Sequence, residues 1–105
     1  MNELLLDRAM TGAMANLRFI KAFANDQRPE VRKLIEAAAD CSQHCLVCVR
    51  SCETGSVLPE TMDLWCESCQ TLSDLIESNT IESIELTACA DASADCIRLC
   101  HRQGV

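Results

Sequence analysis

The stretch "CSQHCLVCVRSC", Cys41–Cys52, sets four thiols at intervals of four, three and four residues. That alternation follows the 3.6-residue period of an α-helix, so the four sulfurs share one helical face. Upstream, Val31, Leu34 and Ala38 continue the same line, which makes the cysteines the second half of a single buried seam. At about 1.5 Å of rise per residue, Cys41 to Cys52 covers roughly 16 Å of helix. The sulfurs therefore form a ladder and not a point cluster.

The same period organises the rest of the 105-residue chain. "NDQRP" (Asn25–Pro29), "ETGSVLP" (Glu53–Pro59) and "ESNT" (Glu77–Thr80) divide it into segments. Pro29 and Pro59 suit the first turn of a helix, and Gly55 suits a stop. Asn79 with Glu82 resembles a capping box, with Asn in the capping role. His101 and Arg102 are cationic as a helix C-terminus prefers, and Gly104 ends the pattern. Leu6, Met10, Ala13, Leu17, Ile20 and Ala24 form the first expected seam. Met62, Cys66, Cys69 and Ile76 form the third, with Ser73 between them, and Leu86, Cys89, Ser93, Cys96 and Cys100 form the fourth. Phe19 and Trp65 fall beside their seams. The expected fold is all-α, an antiparallel up-down four-helix bundle occupying residues 1–105 as one domain.

Composition narrows the function classes. Nearly half the residues are apolar, at 49%, yet Phe19, Phe23 and Trp65 are the only aromatics, so the core must use Leu, Ile, Ala, Met and Cys. The net charge of −7 repels phosphate backbones, and there is no basic patch interleaved with aromatics, which disfavours nucleic acid. No apolar run approaches the roughly 20 residues of a membrane span. "MNELLLDRAMTGAM" has neither a basic start nor a long apolar run of the secretory kind. A cytoplasmic protein with reduced thiols is the expectation. Catalytic triads, paired-carboxylate motifs and glycine-rich phosphate loops are not found, so the chain does not read as an enzyme.

Every one of the nine cysteines falls on an expected seam: Cys41, Cys45, Cys48, Cys52, Cys66, Cys69, Cys89, Cys96 and Cys100. Disulfides between helical neighbours are disfavoured, because Cβ atoms at i and i+4 stand roughly 5–6 Å apart and a disulfide wants about 3.5–4.5 Å. "CLVC" (Cys45, Cys48) and "CESC" (Cys66, Cys69) resemble zinc or redox pairs but sit within helices, away from the tight turns such motifs favour. Zn(II) or an iron–sulfur cluster would use about four sulfurs and leave the others unexplained. Cysteine can also serve as a small, inert core residue, yet nine of them on one face of three helices exchange much apolar burial for sulfur. Cu(I) takes two or three soft thiolates and can share them between ions, so a ladder suits several Cu(I) ions. Zn(II) or cluster binding in a structural or interaction module, and a thiol redox sensor, remain the alternatives.

A small bundle with C-x-x-x-C repeats directed inward resembles the bacterial copper storage proteins and their cysteine-rich four-helix-bundle relatives. "CSQHCLVCVRSC" and "CADASADCIRLC" carry the resemblance most specifically, within a four-segment layout that covers the chain. It implies a cytosolic protein that holds several Cu(I) ions in the bundle interior, assembled as a homo-oligomer, and served by a copper chaperone or efflux system. The first helix departs from that pattern. It has no cysteine and is expected to turn Met10 and Met14 inward, while Ser73 and Ser93 interrupt other seams. Nine thiols at about two per ion hold on the order of four ions, more if sulfurs are shared.

His101, next to Cys100, is a candidate ligand for ions arriving from solvent, against the plainer reading of a solvated histidine at a helix C-terminus. His44 lies off the seam and reads as a surface residue. Met10, Met14 and Met62 offer soft thioethers, against the plainer reading of packing.

Overall fold

Pro29 and Pro59 each open a helix, in the first turn where their missing N–H would have no partner. The computed structural model describes residues 2–103. Within them run α1 (Asn2–Ala22), α2 (Pro29–Glu53), α3 (Pro59–Glu77) and α4 (Ile84–Gln103), with no strand among the described residues. Gly55 ends α2 at φ 97°, a left-handed value that a Cβ would strain. The N–H groups of Thr54, Gly55 and Ser56 turn back onto the carbonyls of Arg50, Cys52 and Ser51 at 3.2 Å.

The third connection differs from the expectation. Asn79 does not cap α4; its Oδ1 accepts the Ile81 N–H at 2.9 Å and closes a local turn. The cap is Ser83, whose Oγ accepts the Leu86 N–H at 3.0 Å. Leu86 is the first buried residue of α4, and Ser83 stands three residues before it, where a cap can anchor the packed turn. Gly104 lies outside the described residues.

Each helix packs on two neighbours, α1 and α3 both lying between α2 and α4. Along α2 from Cys41 to Cys45, the α3 partner moves backward from Cys69 to Trp65. Along α4 from Cys89 to Cys96, the α1 partner moves backward from Ala15 to Arg8. Neighbours are thus antiparallel, and the result is the expected four-helix bundle, 40 × 23 × 20 Å.

Two seams are rotated by about one residue from those expected. On α1 the buried line is Leu5, Ala9, Gly12, Ala13, Asn16 and Phe19, while Met10, Met14 and Leu17 are 43%, 47% and 51% exposed. Met10 and Met14 therefore do not face the core; they edge a groove between α1 and α4 that Asp91 and Asp95 also line. On α3 the buried line is Trp65, Ser68, Cys69 and Leu72, with Met62, Cys66, Ser73 and Ile76 half-buried. The reason is the same in both cases. Adjacent stripes compete, and the stripe with the larger ring wins, because burying Phe19 or Trp65 removes more apolar area than burying Leu17 or Cys66. Phe19 also lies against Phe23, ring centroids 5.0 Å apart.

This register sets apart Phe19→Ala and Leu17→Ala. The first should cost about 3–5 kcal/mol in urea unfolding of the reduced protein, and the second within about 0.5 kcal/mol. Comparable losses in both would place the α1 seam elsewhere.

Candidate metal centre

The α2 and α4 seams carry their thiols inward as the spacing requires. Cys41, Cys45, Cys48, Cys69, Cys89, Cys96 and Cys100 are buried, whereas Cys52 and Cys66 are half-buried, so two of the nine expected inner thiols keep contact with solvent. All nine are free thiols. The bundle's register stacks them by level. Cys41 and Cys69 meet across α2 and α3, sulfur to sulfur at 3.6 Å. One turn on, the Trp65 indole N–H donates to Cys45 Sγ at 3.2 Å. Further along, Cys100 lies near Cys66 and Cys48, and Cys48 near Cys52.

The α4 thiols reach across to the helix that has none. Cys89 donates to the Ala15 carbonyl at 3.3 Å and Cys96 to the Arg8 carbonyl at 3.6 Å. Gly12 lets α1 come this close: a Cβ there would lie 3.2 Å from Cys45 Sγ and 3.5 Å from Cys96 Sγ. Glycine inside a helix costs about 1 kcal/mol relative to alanine, which the close approach to two sulfurs explains. Spacing did not reveal Gly12, Asn16 or Trp65 as neighbours of the thiols. A glycine in mid-helix was the one available signal.

Burial and mutual hydrogen bonding set the protons. Cys41 is held well below the ordinary thiol range by hydrogen bonds from Cys45 and Cys69, with Asn16 and Ser68 adding to the effect and burial opposing it. Cys45 and Cys69 are pushed up in return, since each gives its hydrogen bond to Cys41. Burial pushes Cys48 and Cys89 up to about 12, aided by the charge of neighbouring thiols, and it also raises Cys100 and Cys52. Most of the buried sulfurs therefore keep their protons at neutral pH.

An ion bound at about 2.3 Å from each of two sulfurs can bridge any pair up to about 4.6 Å apart. Cys41 and Cys69, at 3.6 Å, satisfy this. Among the described residues, no three His, Cys, Asp or Glu side chains form a ready ligand group. His101 is exposed at the end of α4. His44 is half-buried, its Nε2 3.8 Å from Asp40 Oδ1 one turn earlier on α2. Met62 packs half-buried against the core near the start of α3. No family model, curated protein or solved structure matches the chain, so the chemistry of the site rests on its own residues.

The proton distribution gives a signed pH dependence. In the reduced protein without added metal, unfolded thiols ionise above about pH 8.5 while Cys48 and Cys89 hold their protons to about 12. A raised folded pKa contributes stability below the unfolded value, and that contribution is lost as pH rises. Cys41, held low, works in the opposite sense but is outnumbered by Cys45, Cys48, Cys69, Cys89 and Cys100. The urea midpoint should therefore fall steadily between about pH 8 and about pH 11. A midpoint that rises over that interval would contradict this assignment of protons.

Proposed function

We propose that this protein binds several Cu(I) ions through the thiolates of its core, as a cytosolic store or sequestering protein. One observation carries the reading: the thiols are spread over successive levels along the bundle, with Cys41 and Cys69 in contact across helices at 3.6 Å and Cys66 beside Cys100 further along, and among the described residues no three form a ready ligand group. Cu(I) is satisfied by two soft sulfurs and can share them with the next ion. Zn(II) and iron–sulfur clusters need about four at one point. Each ion would displace about two thiol protons, so uptake is coupled to proton release and tightens as pH rises. The ligands are Cys41, Cys45, Cys48, Cys52, Cys66, Cys69, Cys89, Cys96 and Cys100. Half-buried Cys52 and Cys66, with Met62, provide the side from which ions enter. Delivery by a copper chaperone or removal by an efflux system belongs to the same proposal. So does a homo-oligomer, for which exposed Met10, Met14 and Leu17 offer apolar surface.

A redox sensor is the second reading, favoured by the Cys41–Cys69 contact. Both sulfurs are buried, however, where an oxidant does not readily reach them, and sensor thiols are accessible. Membrane function has no support among the described helices, none of which is long and apolar enough to cross a bilayer.

Anaerobic titration of the reduced protein with Cu(I) against a competing chelator should show tight uptake of about four ions or more. Saturation at one equivalent or below sinks the storage reading. Retention of one Zn(II) protecting four thiols would support the structural alternative, and a reversible disulfide under mild peroxide without copper uptake would support the sensor.

A further inference from the structure

α1 has no cysteine, yet it places a polar side chain deep among the sulfurs. Asn16 is 1% exposed, and neither its Nδ2 nor its Oδ1 finds a hydrogen-bond partner. Among the described residues Ser42 Oγ is the other buried side-chain atom without one, next to Cys41 on α2. An unpartnered buried amide is costly, and nothing in the packing of α1 requires it: the seam otherwise runs through Leu5, Ala9, Ala13 and Phe19. Gly12, one turn before Asn16 on α1, lies against Cys45 Sγ, and Cys41 stands one turn before Cys45 on the antiparallel α2, so Asn16 reaches the level of Cys41. A thiol is a weak acceptor, but a metal-bound thiolate is a strong one. The amide is thus matched to a form of Cys41 that has given up its proton.

We propose that Asn16 is a positioning residue for Cu(I) at the Cys41–Cys69 pair, its Nδ2–H donating to the Cys41 sulfur once the ion has replaced the thiol proton. This rests on the Cu(I) reading above. The balance is simple: Cu(I) forms bonds to the Cys41 and Cys69 sulfurs, the two S–H bonds break, the protons go to solvent, and no electron is transferred. Among the described residues no Lys or Arg is buried to offset the negative charge of the bis-thiolate, so the donors at hand are neutral. The Trp65 indole N–H has the same relation to Cys45. Groups that orient and support ligands in this way are worth about 10–100-fold in metal affinity at other sites.

Asn16→Ala separates this role from a structural one. The variant without metal should be at least as heat-stable as the wild type, since an orphaned amide is removed. Its affinity for the first Cu(I), supplied from a chromophoric chelator under anaerobic reducing conditions, should fall about 10-fold with the total stoichiometry unchanged. Asn16→Ser, which keeps a donor, should recover most of that affinity. Loss of thermal stability with unaltered Cu(I) affinity would make Asn16 structural and overturn the proposal. A measurement on the wild type guards against a variant that does not fold. With asparagine side chains labelled with ¹⁵N, the Asn16 amide resonances should shift on the first equivalent of Cu(I); an unmoved pair through saturation also overturns it. Wild-type protein that takes up no Cu(I) refutes the functional reading itself. Several equivalents taken up without any response at Asn16 refute this inference alone.

Discussion

A thiol is short, and a helix that packs against a row of them must come close to fill the space. That constraint shapes α1. Ala9, Gly12 and Ala13 line its inner face where Cys45 and Cys96 approach, and a single added Cβ at Gly12 would reach one sulfur at 3.2 Å. Close approach also brings the Ala15 and Arg8 carbonyls within reach of the α4 thiols. Had α1 turned Met10 and Leu17 inward, the same helix would have stood too far off for either contact. The exposure of its larger side chains is the other side of this fit.

The core is consequently uneven along its length. Toward the α1 C-terminus it is made of Phe19, Val31, Leu34, Leu72 and Leu86, all buried. Toward the α1 N-terminus it is made mainly of cysteine and alanine, with Trp65, Leu5 and Leu99 the large side chains there. A buried Leu or Phe contributes roughly 1.5–3 kcal/mol, and each methylene missing from a smaller residue forgoes roughly 0.8 kcal/mol. The apolar half therefore holds the helices together while the other half gives up packing for sulfur.

The four helices were legible because their punctuation is chemically specific: Pro29, Pro59 and Gly55 act where the sequence puts them. The cysteine seams of α2 and α4 were equally legible, since one strongly buried residue type repeats at helical spacing. The seams of α1 and α3 were not. Each presents two neighbouring apolar stripes, and the choice depends on which ring or small residue the opposing helices accommodate, a property of the assembled core. The Asn79 cap misled for a related reason. Asn79 and Ser83 are both good caps, and the start of burial at Leu86 decides between them. Asn16 escaped notice because a lone asparagine on a helix carries no signature until its surroundings are known.

Trp65 gives the arrangement a further property. It is the chain's single tryptophan, wholly buried, with its indole N–H on Cys45 Sγ. Its emission reports on one place only, and that place is a sulfur in the middle of the ladder. Were Cys45 to give up its proton, the electron-rich neighbour of the excited indole would change character. The interior thus carries its own optical gauge, set at a known rung, and the ultraviolet light of an ordinary fluorimeter reads the chemistry of a region that solvent does not touch.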